Sequence, residues 1–97
     1  MKQGISLSKN DNVATVLEKV LIGEEVNIKG LDEVIVIKAE EVIPAGHKIA
    51  LKNIKKTMNI VKYDNIIGIS TDNIKMGFHV HVHNVASCRT ESKSGGE

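Results

Sequence analysis

Tryptophan is absent from this chain of 97 residues, and Tyr63 and Phe78 are its only Tyr and Phe. An interior must therefore be assembled from the plentiful Val, Ile and Leu. Cysteine is nearly missing too. Cys88 stands alone, so neither an internal disulfide nor a Cys-rich zinc module can form, and a reducing compartment suits it. Neither sign of charge is in excess: thirteen basic against twelve acidic residues leave a formal net charge of +1, too little to gather a polyanion. Nucleic acid is not an expected partner. No apolar run approaches the roughly 20 residues that span a bilayer, and Met1-Lys2-Gln3-Gly4 leads into alternating polar and apolar residues rather than a signal-type stretch. No membrane association is expected, and the cytoplasm is the expected compartment.

A chain of this length closes one hydrophobic core. Residues 1–90 are read as a single domain, and 91–97, which hold no apolar residue to anchor them, as a disordered tail.

What the sequence does contain is mostly β. Short stretches crowded with β-branched residues alternate with Gly, Asn, Asp and Pro. Strands are expected at 2–7, 25–29, 33–38, 58–62, 66–70 and 78–84. The near-continuous apolar run Glu33-Val34-Ile35-Val36-Ile37-Lys38 suggests a strand covered on both faces. Residues 12–21 read as a strand end followed by a short helical turn, with Asp11 or Asn12 as its cap and Val13, Val16, Leu17 and Val20 at helical spacing. An internal repeat is also visible. Residues 17–28, 51–62 and 71–82 superimpose without a gap, aligning Val20, Ile54 and Ile74, then Gly23, Thr57 and Gly77, then Val26, Ile60 and Val80. The shared unit reads as a helical turn, a sharp corner and an outgoing strand; three such corners fold a β chain back on itself.

Three of the four histidines fall in Gly77-Phe78-His79-Val80-His81-Val82-His83-Asn84. On a strand, His79, His81 and His83 share one face while Phe78, Val80 and Val82 take the other. Neighbours at i and i+2 lie roughly 7 Å apart at Cα, within reach of one metal ion, whereas the outer pair at roughly 13 Å is not. A metal would take His81 and His83, or His79 and His81, with a further ligand from elsewhere, such as His47 or a partner chain. A second cluster is Pro44-Ala45-Gly46-His47-Lys48. Pro44 and Gly46 favour a tight turn that delivers His47, as proton carrier or ligand, and Lys48, as a point charge for an anion. In the third, Val61-Lys62-Tyr63-Asp64-Asn65, Lys62 and Asp64 share a face of an extended segment and Asp64-Asn65 signals a turn. Each pattern also fits a bland role, as a solvated strand face or an ordinary exposed turn.

Taken in order, Pro44-Ala45-Gly46-His47-Lys48-Ile49-Ala50-Leu51, Val61-Lys62-Tyr63 with Ile67-Gly68, and the histidine segment resemble the SAF domain of the altronate and galactarate dehydratase family. The free-standing small subunits of that family, such as that of sulfolactate sulfo-lyase, look similar in length. The resemblance implies a β-clip fold of bent strands with one or two short helical turns. It implies a separate large catalytic subunit whose active site this chain completes, a sugar-acid substrate such as altronate, loss of water from it, and a divalent metal bound with that partner, typically iron(II) in altronate dehydratase. By the same resemblance, His47 and Lys48 are catalytic, Lys48, Asn84 and Lys62 hold substrate, and His81, His83 and His79 hold metal. Phe78 replaces a Glu, and Thr57 a Gly, that are common in the family. The other reading of the same domain type is a non-catalytic carbohydrate- or metal-binding module.

Overall fold

The computed structural model describes residues 1–87, so the expected tail at 91–97 lies outside the described residues. Nine strands carry the chain: β1 (Lys2–Ile5), β2 (Val13–Val16), β3 (Glu25–Lys29), β4 (Ile35–Lys38), β5 (Lys48–Ala50), β6 (Asn59–Lys62), β7 (Asn65–Ser70), β8 (His79–Val80) and β9 (Val85–Ala86). They form a six-stranded sheet in the order β4-β3-β1-β2-β5-β8 and a three-stranded one in the order β6-β7-β9. Only β1 and β3 run parallel; the other pairs are antiparallel. This is the mostly β, bent-strand architecture expected. No helix occurs among the described residues. Residues 13–16 are strand, because Val13, Ala14 and Val16 are buried on alternate faces of a central strand, a demand that a helix cannot meet. The expected helical turns are β-turns instead.

Those turns repeat four times, once more than the sequence comparison detected. In each, an apolar residue is followed after three positions by a residue of positive φ and after six by a second apolar residue: Val20-Gly23-Val26, Ile43-Gly46-Ile49, Ile54-Thr57-Ile60 and Ile74-Gly77-Val80. The φ values, 87°, 82°, 74° and 91°, are those of the third residue of a type II turn, and the closing bonds run from Glu24 N–H to Leu21 C=O, His47 to Pro44, Met58 to Lys55 and Phe78 to Lys75. Every corner then docks on a buried residue four places before another corner. Gly23 N–H donates to Ala39 C=O while Ala39 N–H donates to Glu24 C=O; the same exchange joins Gly46 and His47 to Val16, Thr57 and Met58 to Ser70, and Gly77 and Phe78 to Ala50. The corners are thus paired in twos, the first with the second through the Val20–Ile43 bridge and the third with the fourth through the Ile54–Ile74 bridge.

Each pair closes its own core. Around the first lie Ala14, Val16, Val20, Val26, Ile28, Ile37, Ala39, Ile43 and Ile49; around the second lie Val13, Ala50, Ile54, Ile60, Ile74 and Val80, with Phe78 and Val85 against them. Adjacent residues of β2 and β5 face opposite cores, which is how two central strands serve both. Burial of each Val or Ile contributes about 1.5–3 kcal/mol, so the aliphatic composition suffices without large aromatics. In the second pair the symmetry extends to side chains: Asn53 Oδ1 accepts from Met76 N–H and Asn73 Oδ1 from Lys56 N–H, both at 2.9 Å.

Two expectations about strand surroundings need correction. β4 is an edge strand, with Val36 44% exposed and Val34, just before it, 82% exposed, so the apolar run at 33–38 is not covered on both faces. Lys62 and Asp64 do not share an extended face either. Tyr63 and Asp64, at φ 52° and 64°, form the two-residue tip of the β6–β7 hairpin, closed where Lys62 pairs with Asn65. Asp11 supports that tip by accepting from Asp64 N–H at 2.7 Å.

Candidate functional site

The second corner leaves its glycine and delivers His47, whose carbonyl is tied to Val16 N–H at 2.9 Å, and then Lys48, the first residue of β5. β5 pairs antiparallel with β8, Lys48 opposite Val80 and Ile49 opposite His79; continued by one step, that register sets His47 across from His81. The imidazoles follow the backbone. His47 stacks on His81 with ring centres 3.8 Å apart, and His47 Nδ1 lies 2.8 Å from His79 Nε2. His47, His79 and His81 each offer a ring nitrogen, and these lie within 4.8 Å of one another.

The segment after β8 departs from the expected extended ribbon. Only His79 and Val80 are strand. Asn84 then closes a turn: its N–H donates to His81 C=O, its Oδ1 accepts from His81 N–H at 2.9 Å and its Nδ2 donates to His79 C=O at 2.9 Å. Val82 consequently projects from the apex, 81% exposed, instead of packing on the core. His83 swings to a tilted contact with His79, ring centres 4.9 Å apart, and stays outside the group of three. Of the two pairs that the spacing allowed, the structure joins His79 and His81 to His47 and leaves His83 outside the group. Asn84, expected to touch substrate, is buried with both ends of its amide engaged by main chain, a role in shaping the turn.

Burial, then the imidazoles of His83, His47 and His81, push the pKa of His79 down to about 4, against the opposing pull of the Glu41 carboxylate. Burial, followed by His47, Lys48 and His83, lowers that of His81. Both rings are therefore neutral at neutral pH, the state in which imidazole has a lone pair to give. Burial and the nearby Lys62 ammonium lower the pKa of Lys48. Lys62, at the end of β6, lies with Nζ 5.2 Å from the centre of the Tyr63 ring. Two lysines thus extend the imidazole cluster into a surface suited to an anion.

The cluster fits a divalent metal on two observations. Two imidazole nitrogens 2.8 Å apart need either a proton between them or a cation that accepts both lone pairs; ligands at about 2.0–2.1 Å from an ion stand about 3 Å apart. Moreover, His81 Nδ1 is buried without a hydrogen-bond partner. Sequence reading missed Glu41, whose Oε1 accepts from His79 N–H at 3.0 Å. A signal was present: in the second corner Glu41 occupies the position, two before the first apolar residue, that Glu18, Lys52 and Asp72 hold in the other three.

A family model described as the altronate/galactarate dehydratase SAF domain matches residues 2–88. The chain belongs to that family. This SAF domain is 40% identical over 84 residues to the altronate dehydratase of Bacillus subtilis (strain 168), covering 87% of the chain but 16% of that relative. To the (2R)-sulfolactate sulfo-lyase subunit alpha of Chromohalobacter salexigens it is 36% identical over 58 residues, 60% of the chain and 62% of the subunit. The corresponding subunit of Paracoccus pantotrophus is 40% identical over 55 residues, 57% and 78% of the two chains. The SAF domain therefore spans about a sixth of the altronate dehydratase it matches. Among the described residues there is no helix long and apolar enough to cross a membrane.

Proposed function

We propose that this SAF domain is the accessory component of a sugar-acid dehydratase or related lyase, completing in the cytoplasm the active site of a separate large catalytic subunit. The observation that carries the reading is the convergence of His47, His79 and His81 beside Lys48. In this reading the three imidazoles hold a divalent metal, iron(II) being one candidate, and the bound ion supplies Lewis-acid polarisation of a substrate carboxylate. Lys48 and Lys62 bind that carboxylate and offset the charge that builds on its oxygens as the neighbouring C–H proton leaves. His83, exposed beside His79, is placed to carry a proton, and His47 serves as a ligand rather than as the proton carrier. The names of the relatives support the chemistry class: loss of water in the altronate dehydratases, and a lyase built from named subunits in the sulfo-lyase alpha chains.

The test is reconstitution. The isolated chain should be inactive on aldonic or aldaric acids, and adding the companion large subunit with a divalent metal should restore turnover, which His47→Ala should abolish. Turnover by the chain alone, or an inert reconstituted pair, would overturn the proposal; sugar-acid binding without metal and unaltered by His81→Ala would instead indicate a non-catalytic module.

A further inference from the structure

The chain leaving β4 crosses the fourth corner and straps it down. Glu40 N–H donates to Gly77 C=O at 2.9 Å, and the crossing is so close that a Cβ on Gly77 would come within 2.4 Å of the Lys38 carbonyl oxygen. One residue on, Glu41 Oε1 takes the main-chain N–H of His79 at 3.0 Å. β8 is the edge of its sheet, so this donor has a carboxylate where an edge strand commonly leaves its outward N–H to solvent. The position matters for charge. The three converging imidazoles bring no negative charge of their own, and the Lys48 ammonium stands near enough to His81 to lower its pKa. A divalent cation arriving there meets net repulsion unless a carboxylate lies close behind the ligands.

We propose that Glu41 is a positioning residue for the histidine centre: its carboxylate fixes the main chain at His79 and supplies the negative charge that allows the imidazoles to hold a dication beside Lys48. The inference rests on the metal reading of the site given above. It requires no contact between Glu41 and the ion. Geometry and charge are separable, because Glu41→Gln keeps a hydrogen-bond acceptor for His79 and removes only the charge, whereas Glu41→Ala removes both.

The experiment is calorimetric titration of the whole chain with Co2+, alongside thermal melts and the amide proton shift of His79 recorded without metal. Glu41→Gln should melt as the unaltered protein does yet bind Co2+ about 10-fold more weakly, and Glu41→Ala should lose up to about 100-fold. Glu40→Gln, which removes the same charge from the adjacent position, should change the affinity by less than about twofold. The His79 amide proton should move upfield in both Glu41 variants, because a charged acceptor is the stronger one. Co2+ uptake that Glu41→Gln leaves unchanged, or a His79 amide that does not move, overturns this inference and spares the metal reading. An unaltered protein that takes up no Co2+ overturns both.

Discussion

Thr57 holds a backbone conformation, φ +74°, that the three equivalent corners assign to glycine. For an L-residue this region costs roughly 1–2 kcal/mol, partly offset because glycine has more unfolded-chain entropy to lose. Thr57→Gly should therefore stabilise the protein by about 0.5–1 kcal/mol, raising the melting temperature by a few degrees in a calorimetric scan. The reverse change separates strain from collision. At Gly23 a Cβ would meet nothing within 4 Å, and Gly23→Ala should cost only the conformational ~1–2 kcal/mol, whereas at Gly77 the Lys38 carbonyl oxygen at 2.4 Å adds a clash with main chain. Gly77→Ala should be clearly the more damaging. Asp11 offers a pH-dependent counterpart. Burial alone would raise its pKa, but hydrogen bonds from Asp64, Leu7, Ser6 and Tyr63 outweigh it and hold the carboxyl below its ordinary 3.8. The sign is then fixed: the carboxylate's contribution is fully present above 3.8 and is lost as pH falls through the lower, folded-state value. Asp11→Asn, which turns an acceptor into a donor facing donors, should cost about 2–3 kcal/mol at neutral pH in urea titrations and flatten the acid limb of the stability profile.

At the scale of elements, the turn after β8 shows what a sequence pattern can and cannot convey. The alternation in His79-Val80-His81-Val82-His83 fits a strand as well as any stretch of this chain, yet one buried amide overrides it, because Asn84 satisfies main-chain groups of both His79 and His81. Local alternation carries no information about such a clamp. Asn84→Ala should leave those groups short of partners, costing about 1–3 kcal/mol, and should weaken metal uptake by His79 and His81 without removing a ligand. A calorimetric scan and a Co2+ titration on the same variant read the two effects separately. Elsewhere periodicity was a reliable guide: the strand expected at 25–29 is β3, and those at 58–62 and 66–70 match β6 and β7 to within a residue. The corner at Ile43-Gly46-Ile49 has the same apolar-x-x-Gly-x-x-apolar spacing as those at Gly23 and Gly77, but its Pro44 and its His47-Lys48 pair are not shared by the other copies and mask the repeat. Which corner docks on which strand was not legible, since main-chain exchanges such as Gly46 with Val16 depend on contacts far apart in the chain.

For the molecule as a whole, the pairing of corners explains why a site exists at this place. His47 belongs to a corner of the first pair and His79 to a corner of the second; the two pairs meet along β5 and β8, and residues separated by 32 positions in the chain are brought to hydrogen-bonding distance. The joint between the two cores is therefore also where the imidazoles meet, and cation binding should stabilise the fold that assembles it. A ligand that binds only the folded state at 100 times its dissociation constant adds about 2.7 kcal/mol. Melts with and without Co2+ should show that gain in the unaltered protein and its removal by a chelator. His47→Ala and His81→Ala should abolish the gain, because each deletes one of three converging nitrogens, while His83→Ala should retain most of it, since its ring only leans on His79. The opposite ranking, with His83 needed and His47 dispensable, would mean that the histidines of residues 79–83 hold the ion among themselves, and that the meeting of the two corner pairs has no part in holding it.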